Sequence, residues 1–361
     1  MARLGDYVRI RTGKLDANAS SENGRYPFFT CAVEPLRIDS YSYDCECVLV
    51  AGNGDLNVKY YNGKFDAYQR TYIIESIDKS VLSVPYLYFF LDKYVETLRY
   101  EAIGGVIKYI KLGNLTEAQI PLLSLEEQAK VVCEIDKAND LISLRKQQLT
   151  KMDELVKTRF VELFGTESEF DKWPCCTIGD VADVCVGVVI KPTQYYTDKG
   201  IPAFRSLNIG EMRVKDSDWV YFTEEGHQKN QKSVVHRNDV LVVRSGAPGT
   251  ACVATEKYDG YNAVDIIIAH PDNSKINSVF LAAFTNMPHG MNQIRERTGG
   301  AAQQHFNVSG YKAMRLIMPS IELQNHFAAF VKQTDKSKLA VQQSLDKLET
   351  LQKFLMQKYF G

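Results

Sequence analysis

One stretch of the sequence has the composition of a ligand-binding turn. Residues 48–55 read VLVAGNGD, a β-branched run followed by two closely spaced glycines, and such a turn lets a backbone approach a nucleotide or S-adenosylmethionine. A dinucleotide fingerprint is longer, and no helical pattern or well-placed carboxylate follows this turn. The chain also lacks a Walker loop, a GxSxG elbow, a DPPY-like or NPPY-like tetrapeptide and a nuclease set of carboxylates and lysine. We therefore expect no catalytic residues and no cofactor bound by this chain.

The cysteines do not have the spacing of a metal site. They show no CxxC pair and no ligand spacing with the six histidines, so we expect reduced structural thiols and no bound metal. The eight cysteines are Cys31, Cys45, Cys47, Cys133, Cys175, Cys176, Cys185 and Cys252.

The loops carry many side chains that can recognise base edges and phosphates. Arg hydrogen-bonds guanine, and Asn or Gln hydrogen-bonds adenine, whereas Lys and Ser bind phosphates. In the first part of the chain they flank a predicted turn, form a predicted hairpin tip at residues 60–64, or follow it: Arg11, Lys14, Tyr61, Asn62, Lys64, Gln69, Arg70 and Lys108. In the later part they form further clusters: Lys191, Gln194, Tyr195, Arg205, Asn208, Arg244, Ser245, Arg295, Arg297, Gln303, Gln304 and His305. As sets they are candidate nucleic-acid contacts, although any single one has the chemistry of an ordinary surface side chain.

The composition indicates a globular chain of two or more domains. Of its 361 residues, 45% are hydrophobic and 24% charged, which lets each domain bury its own core. The first residues, MARLGDYVRIRTGK, lack the apolar core of a signal peptide, and no run reaches membrane-spanning length. We therefore expect a cytoplasmic protein with no membrane contact. The formal net charge is −1, so nucleic-acid binding must come from local basic patches.

A long repeat organises the elements that must position these loops. Residues 124–165 (SLEEQAKVVCEIDKANDLISLRKQQLTKMDELVKTRFVELFG) align without a gap with residues 320–361 (SIELQNHFAAFVKQTDKSKLAVQQSLDKLETLQKFLMQKYFG). With about ten identities, the match is an internal repeat. Neither copy contains Pro or an internal Gly, and each begins at Ser and ends at Gly, as helices do. Each copy predicts a helix of about 60 Å at 1.5 Å per residue.

Apolar residues recur in both copies at alternating steps of three and four, which is typical of a coiled-coil seam. We expect helix pairing and partner docking at Val131, Ile135, Ile142, Leu149, Met152, Val156, Phe160, Phe327, Val331, Val341, Leu345, Leu348 and Leu355. Val132, Leu141, Leu155 and Phe160 form a second apolar face outside the seam. Because two paired helices would leave that face in water, we expect helices of another subunit to cover it.

Two globular segments precede the two helix copies and share landmarks in the same order. Strand and hairpin patterns fill both, with a turn predicted at Asn62-Gly63 and a helix predicted over residues 84–100. The landmarks pair as 4–6 with 178–180, 24–28 with 200–204, 48–50 with 240–242, 65–74 with 258–267, Gly104-Gly105 with Gly299-Gly300, and Ile120-Pro121 with the approach to Pro319. The whole chain therefore reads as a tandem duplication of a globular unit plus a helix.

Four pieces of the sequence match a known family pattern. They are residues 121–128 (PLLSLEEQ), 319–324 (PSIELQ), 200–209 (GIPAFRSLNI) and 239–249 (DVLVVRSGAPG). With them the chain resembles, over essentially its full length, the specificity subunit of a type I restriction-modification system. The second unit resembles the family more closely than the first, and Leu122-Leu123 replaces the usual Pro ahead of the first helix.

The resemblance implies an α+β fold in which two similar target-recognition domains are separated by two long helices that form an antiparallel coiled coil, a tandem duplication with pseudo-twofold symmetry. The domains would be residues 1–122 and 166–319, and the helices 123–165 and 320–361. Each domain would read half of a bipartite double-stranded DNA site, while the helices set the spacer and dock two methyltransferase subunits. Endonuclease subunits would join the complete complex. S-adenosylmethionine would belong to the methyltransferase, and ATP with Mg to the endonuclease.

Other interpretations stay open at this point. The chain could be the recognition subunit of a related restriction system whose methyltransferase and nuclease share one chain. It could also be a coiled-coil assembly scaffold without DNA binding. A small methyltransferase built on the turn at residues 48–55 is a third alternative. None of these patterns specifies the recognised bases or the oligomeric state.

Overall fold

The computed structural model describes residues 1–298 and 305–361, which have an α+β fold. The helices of this described part are α1 Val84–Glu101, α2 Leu112–Thr116, α3 Leu125–Phe164, α4 Glu224–Lys229, α5 Ser278–Asn286, α6 Pro288–Thr298, α7 Val308–Lys312 and α8 Ile321–Phe360. Its strands are β1 Ala2–Arg3, β2 Val8–Thr12, β3 Tyr26–Phe29, β4 Leu36–Ile38, β5 Tyr43–Ala51, β6 Val58–Ala67, β7 Thr71–Ser76, β8 Gln119–Ile120, β9 Cys175–Thr177, β10 Ala182–Val186, β11 Tyr196–Thr197, β12 Ile201–Phe204, β13 Ile209–Gly210, β14 Arg213–Val214, β15 Val220–Phe222, β16 Val240–Val243, β17 Ala251–Val253, β18 Asn262–Ala263, β19 Ile266–Pro271 and β20 Arg315–Ile317. None of the helices in these ranges is long and apolar enough to cross a membrane.

The chain divides into two compact units. The first consists of Met1–Gln147 with Gln342–Gly361, and the second of Gln148–Val341. Each unit thus contains a globular part and one portion of each long helix. This division differs from the domain boundaries expected at residues 122, 165 and 319, which remain predictions.

A six-stranded sheet with the order β2-β7-β5-β6-β3-β4 forms the globular part of the first unit. Successive side chains of its central strand β5 alternate between two apolar layers. Val48 and Val50 pack in the cluster that contains α1, whereas Cys47 and Leu49 pack in the cluster on the other face. This alternation is the period of two that a strand buried on both sides requires. The helix predicted from its apolar pattern and Pro85 is present as α1.

The second unit repeats the central part of this sheet. Its strand order β10-β19-β16-β17 corresponds to β2-β7-β5-β6, with antiparallel pairing throughout. β12 runs parallel to β18 as β3 runs parallel to β6, and the short pair β9 and β20 repeats β1 and β8. The duplication inferred from the landmarks is therefore present in the topology.

Strand register corrects two of the landmark pairs. The parallel pairings join Phe29 to Ala67 and Phe204 to Ala263, so Phe29 rather than Phe28 is the counterpart of Phe204. The match of residues 65–74 with 258–267 is displaced further, because the ladders make Ala67 equivalent to Ala263 rather than to Gly260. Neighbouring aromatic and β-branched residues are interchangeable in an apolar pattern, so only the hydrogen-bonded ladder distinguishes one register from the next.

The turn predicted at Asn62-Gly63, and with it the hairpin tip at residues 60–64, is wrong because β6 runs through both positions. Asn62 and Gly63 pair with β5 in an uninterrupted ladder. Gly63 has φ of +137°, a conformation that glycine adopts without steric cost. The rings of Tyr61 and Phe65, whose centroids are 5.6 Å apart, hold the strand on either side of the glycine. Tertiary packing therefore overrides a local turn signal.

Both predicted long helices are confirmed as α3 and α8, each of 40 residues, at equivalent positions of the repeat. α3 begins with a reciprocal cap: the Ser124 backbone N donates to Glu127 Oε2 at 3.0 Å, and the Glu127 backbone N donates to Ser124 Oγ at 3.4 Å. α8 keeps half of this cap. The Leu323 backbone N donates to Ser320 Oγ at 3.3 Å, and the leucine has no carboxylate to return the bond.

A buried glutamine in the first turn of each long helix ties that helix to its globular part. Gln128 Oε1 accepts a bond from the backbone N of Ser83, the residue that precedes α1, at 2.9 Å, and its Nε2 donates to a carbonyl just ahead of α3. Gln324 repeats the arrangement with Asn277, the residue that precedes α5, at 2.9 Å. Because both amides are fully buried, these bonds are needed to satisfy their polar groups.

In the first unit the helix segments run antiparallel. The Tyr359 hydroxyl donates to Glu134 at 2.6 Å, and Lys146 pairs with Glu349 at 3.0 Å. Rising residue numbers on α3 therefore meet falling numbers on α8. This is the pairing direction that the family resemblance implied.

In the second unit the helix segments also run antiparallel, with Lys338 paired to Asp153 at 2.6 Å and Arg159 3.1 Å from His326. The polar side chains of Lys338 and Arg159 thus find partners on the other helix. The seam positions that are buried are Val131, Ile135, Val156, Phe327, Val331, Val341, Leu345 and Leu355. Those that are half-buried are Ile142, Leu149, Met152 and Leu348.

Phe160 does not belong to an outward docking face, and that expectation is wrong. Its side chain is 1% exposed. Its ring stacks on Phe280 at 5.8 Å and meets Phe327 edge-on at 5.5 Å, and Phe164 one turn later is buried in the same core. The globular part that follows α3 in the chain covers this end of the helix, which an apolar pattern within the helix does not reveal.

Candidate nucleic-acid interface

The glycine turn after β5 joins three segments of the first unit. Gly52 N donates to the Arg70 carbonyl at 2.8 Å, and Gly54 N donates to the Lys108 carbonyl at 2.9 Å. A Cβ on Gly52 would lie 2.4 Å from that Arg70 oxygen, and Gly54 has φ of +70°, so both positions require glycine. The amides that a phosphate would need are therefore bonded to the chain's own carbonyls, and the glycines have a structural cause.

This turn brings four candidate DNA contacts together at the end of the sheet where β5 ends and β7 begins. Arg70 and Lys108 are bonded directly to the turn, and Gln69 N donates to the Leu15 carbonyl beside Lys14 at 2.9 Å. We call Lys14, Gln69, Arg70 and Lys108 the first loop cluster. All four are exposed, so three cationic side chains face solvent together, as phosphate contacts require.

The remaining first-unit candidates lie along the sheet. They are Arg11, Tyr61, Asn62 and Lys64. Arg11 forms an ion pair with Glu75 and lies 5.2 Å from the centroid of the Tyr43 ring. The Lys64 ammonium lies 4.7 Å from the Tyr41 ring centroid, and the hydrogen bond to that tyrosine raises the pKa of Lys64. Both cations therefore have partners within the unit, and a DNA contact from either stays a prediction.

The second unit builds the same junction at the corresponding strand end. The Phe306 backbone N donates to the Arg244 carbonyl at 3.0 Å, as Ile110 N donates to the Gly52 carbonyl at 2.9 Å in the first unit. Arg244 follows β16 as Gly52 follows β5. The turn after the central strand is thus bonded to the same later segment in both units.

The side chains at this second junction differ from those at the first. Ser245 Oγ and His305 Nδ1 are 2.7 Å apart, and Arg244 Nη1 pairs with Asp265 at 2.7 Å. Ser245 and Arg244 are half-buried, whereas His305 is exposed. The structure therefore brings together three of the candidates predicted from sequence, with one arginine already holding an internal partner.

Asn208 is wrong as a base contact. Its side chain is fully buried, its Nδ2 donates to the Ser217 carbonyl at 2.6 Å, and its Oδ1 accepts from the Arg205 backbone N at 2.9 Å. Asn208 closes the short turn that begins at Arg205. The Arg205 guanidinium donates to the Asp218 carbonyl, and its Nε is buried without a partner among the described residues.

Three candidates lie on the turn before β11. Lys191 has φ of +46°, and both Lys191 and Gln194 are exposed. Tyr195 packs its ring on Phe222, with centroids 5.7 Å apart.

Two arginines lie on α6. Arg295 Nη1 donates to Asn292 at 3.0 Å and Arg297 Nη1 donates to the Gln293 carbonyl at 2.9 Å, and both side chains are exposed. The helix packs against the turn that follows Arg244, since a Cβ on Gly249 would lie 2.6 Å from Ile294. The other candidates expected here, Gln303 and Gln304, lie outside the described residues, as do Gly299 and Gly300.

One arrangement in the second unit resembles a nucleophile with its base. Cys185 Sγ is 3.5 Å from His270 Nε2, and His270 Nδ1 is 2.7 Å from Asp239 Oδ1. The hydrogen bond to Asp239, followed by that to Cys185, raises the pKa of His270 to about 10. In the first sheet, Arg11 and Glu75 occupy the positions equivalent to Cys185 and His270, and they form an ion pair. Both copies thus place a polar cross-strand pair here, which indicates a structural role.

A cleft of about 480 Å³ in the second unit lies between the helix segments and the turn that carries Ser245. Two of its lysines are paired, Lys157 with Glu211 at 2.8 Å and Lys338 with Asp153 at 2.6 Å. The exposed Arg213 and Lys215 also line it. No group of three or more His, Cys, Asp or Glu side chains in the described ranges is placed to hold a metal ion. The exposed loop residues therefore remain the best candidate site.

Comparisons with known proteins point to one family. Residues 1–153 match the model of the type I restriction modification DNA specificity domain. Over that segment the chain is similar to the type I specificity subunits. The EcoDI specificity subunit of Escherichia coli is 38% identical over 154 residues, which cover 43% of this chain and only 34% of that subunit. The EcoBI specificity subunit of the same organism is 20% identical over 347 residues, which cover 87% of this chain and 73% of that subunit.

Solved structures of this family share the fold. The S subunit of a type I restriction-modification system from M. genitalium superposes with a TM-score of 0.64 at 16% identity, covering 100% of this chain and 95% of that one. A second structure, described as the basis of complex assembly and conformational transition of the type I R-M system, gives a TM-score of 0.60 at 16% identity, covering 99% and 96%. At this identity the likeness concerns the fold alone.

The family match corrects one expectation from sequence. The second unit was expected to resemble the specificity subunits more closely, yet the family model matches residues 1–153, the first unit and the start of the second. The pieces that suggested the opposite, residues 200–209 and 239–249, contain the short buried strands β12 and β16. The apolar composition of such strands is a consequence of burial, so it is weak evidence of a family relationship.

Proposed function

We propose that this chain is a non-catalytic DNA-reading subunit of a type I restriction-modification enzyme, in which each unit reads one half of a bipartite site. The observation that carries the proposal is the repeated junction after β5 and β16. The same backbone bond recurs in both units, whereas Asn53 and Tyr109 in the first correspond to Ser245 and His305 in the second. A repeated scaffold with different exposed side chains is what two sites of different specificity need.

Local charge supplies the attraction to DNA. The net charge of −1 provides no general positive field, so affinity depends on groups such as the first loop cluster. Arg70 and Gln69 have the donors for guanine and adenine edges, and Lys14 and Lys108 have the chemistry of phosphate contacts. Binding should therefore weaken steeply as salt rises.

The helices are proposed to dock two methyltransferase subunits. An exposed apolar surface, which we call the outer helix patch, consists of Leu141, Leu144, Leu351 and Phe354, each between 43% and 61% exposed. In each helix the two residues are three apart and therefore lie on one face. The ion pair between Lys146 and Glu349 occupies the other flank of the seam, so this flank is left for apolar packing by partner helices.

The pattern of alternating three and four steps missed part of this patch. Leu141 was expected on an outward face, but Leu144, Leu351 and Phe354 were not. Their spacing of three residues outside the seam was the available signal. Leu155, also expected there, is 49% exposed, whereas Val132 is half-buried against the core of the first unit.

Catalysis and cofactors are proposed to belong to the partners. The methyltransferase subunits would bind S-adenosylmethionine, and the endonuclease subunits that complete the complex would use ATP and Mg. This chain would contribute the choice of site. Its polar side chains would position the complex by contacts that discriminate between bases.

Exchanging the first recognition unit tests the proposal. Residues 1–122 are replaced by the same segment of another specificity subunit, and the methylated sites are mapped by sequencing DNA modified with the methyltransferase partner. One half of the site is expected to change while the other half and the spacer are retained. A change in both halves, or in neither, contradicts the two-unit assignment.

Filter binding separates this proposal from a coiled-coil scaffold. The wild-type chain, alone and with methyltransferase subunits, is incubated with duplexes that contain or lack the mapped site. A specificity subunit gives site-selective retention that falls with salt. A scaffold gives no selective retention in either case.

A further inference from the structure

A short glycine hairpin beside the first loop cluster has a fixed shape. Ile103 N donates to the Tyr109 carbonyl at 3.0 Å, and Tyr109 N donates to the Ile103 carbonyl at 2.9 Å. Gly104 has φ of +118°, and a Cβ there would lie 2.6 Å from the Ile107 carbonyl, so the bend requires glycine. We call residues 103–109 the glycine hairpin.

The glycine hairpin is attached firmly to the junction described above. The Lys108 carbonyl accepts the bond from Gly54 N at 2.9 Å, and Ile110 N donates to Gly52 at 2.9 Å. The Tyr72 hydroxyl donates to the Ile110 carbonyl at 3.2 Å. The base of the hairpin is thus bonded to the turn after β5 and to β7, which leaves its tip projecting from a rigid support.

The tip of the glycine hairpin is aliphatic and lies in solvent. Val106 is fully exposed and Ile107 is 63% exposed. Scattered single apolar side chains are ordinary on protein surfaces, but two adjacent aliphatic side chains at the end of a constrained hairpin form a small protruding wedge. They cover no part of the core cluster of this unit.

The charges around this tip favour one kind of partner. Lys108 belongs to the hairpin, and Arg70 is bonded through Gly52 to the same junction. An apolar tip flanked by cations is complementary to a partner with anionic groups on its outside and apolar faces between stacked rings. Double-stranded DNA has this combination, and proteins that enter its minor groove use Leu, Ile or similar side chains to separate adjacent base pairs.

We propose that Val106 and Ile107 enter the minor groove and partly unstack one base-pair step in or beside the half-site read by the first unit. Lys108 and Arg70 hold the flanking phosphates during this insertion. The site would then be selected partly by how easily that step deforms, since pyrimidine-purine steps unstack most readily. This inference rests on the proposed DNA-reading function and adds a contact that recognises deformability.

The experiment uses the full chain in complex with its methyltransferase subunits and duplexes of the mapped site. 2-Aminopurine, whose emission rises when it is unstacked, is placed at one position at a time across the first half-site and its flanks, away from the methylated adenine. The wild-type complex is expected to raise the emission at one step. The variant V106A/I107A, which makes the tip read Gly-Gly-Ala-Ala like residues 299–302 of the sequence, is expected to lose that rise.

Two control variants separate insertion from other effects. I77A/V81A removes an equivalent pair of exposed aliphatic side chains in the same unit and should keep the emission rise. K108A should weaken binding, reduce the salt dependence by about one phosphate contact and keep the rise in the bound complex.

Each result bears on the proposal. The wild-type complex could bind the site selectively while no base-pair step shows a 2-aminopurine emission rise that V106A/I107A removes. That result overturns the wedge but leaves the DNA-reading function intact. Loss of methyltransferase association in V106A/I107A shows that the tip is a protein contact and also overturns it. If the wild-type complex selects no duplex at all, the proposed function fails together with the wedge.

Discussion

At the scale of single residues, Asp239 shows how a buried carboxylate makes stability depend on pH. One oxygen accepts from His270 at 2.7 Å and the other from the His236 backbone N at 2.6 Å, and the carboxylate is almost fully buried. His270 also lies 3.5 Å from Cys185 Sγ and 6.0 Å from the His236 ring centroid. Because its pKa is raised to about 10, His270 is cationic when folded at neutral pH.

The substitution D239N tests this pair. A histidine with a raised pKa contributes stability that is complete below its unfolded pKa of about 6.5 and is lost as pH rises towards 10. At pH 6 the variant should lose about 1–3 kcal/mol of unfolding free energy, because it leaves the half-buried His270 cation without its carboxylate partner. The difference between wild type and variant should shrink steadily between pH 6.5 and 10.

Urea unfolding followed by tryptophan fluorescence provides this measurement. Both tryptophans of the chain, Trp173 and Trp219, lie in the second unit with Asp239. D183N is the matched control, since Asp183 is largely exposed and pairs only loosely with Lys312 at 3.6 Å. A D239N effect that does not vary with pH, or one that D183N reproduces, excludes the ion pair as its cause.

At the scale of elements, α3 changes its environment along its length. Phe160 near its end is buried among Phe280 and Phe327, whereas Leu141 and Leu144 near its middle are exposed. The same helix therefore contributes core near both of its ends and exposed apolar surface near its middle. A sequence pattern reports only that both stretches are apolar.

Two phenylalanines separate these roles. F160A should lower the free energy of unfolding of the second unit by about 3–5 kcal/mol, because it leaves a cavity in a packed aromatic core. F354A in the outer helix patch should change stability by less than about 0.5 kcal/mol and should weaken copurification of the methyltransferase subunits. Stability is measured by urea unfolding, and association by affinity capture with a tagged methyltransferase.

The two variants act as controls for each other. If F354A leaves methyltransferase capture unchanged, the outer helix patch is not the docking surface. If F160A unfolds at the same urea concentration as wild type, its ring does not support the core in the way its contacts indicate.

At the scale of the whole molecule, two helices of equal length link duplicated units. Under the proposed function their length sets the number of unread base pairs between the two half-sites. Because the seam repeats every seven residues, whole heptads can be removed without turning apolar residues outward. The helices can therefore be shortened in a controlled way.

Removal of residues 143–149 together with 343–349 is the corresponding test. Each deletion takes one heptad, about 10 Å of helix, from a stretch that contains one partner of the ion pair between Lys146 and Glu349. The mapped site is expected to keep both half-sites and to lose about three base pairs of spacer, at 3.4 Å per pair. An unchanged spacer would refute the role of the helices as a ruler, and loss of methylation at every site would show that they also position the methyltransferases.

Much of this architecture is encoded locally and could be predicted. The two long helices, the strands around residues 43–51 and 240–243, and the duplication itself follow from periodicity, capping residues and repeated order, which are properties of neighbours in the chain. The first loop cluster was also named in advance, because Lys, Arg and Gln near strand ends are usually exposed. Such features depend on short-range conformational preference and on the partition of apolar residues.

The set of elements and their repetition therefore follow from local patterns in the chain. Which side chains remain free depends on the packing of distant segments. Phe160 has the composition of a docking residue, but Phe280 and Phe327, far along the chain, pack against it in the core. Asn208 has the composition of a base contact, but it is buried and bonded to Arg205 and Ser217. Gly52 and Gly54 resemble a nucleotide turn, yet their amides bond to Arg70 and Lys108. The physical reason is that burial and hydrogen bonding are satisfied across long sequence separations, which no local pattern records.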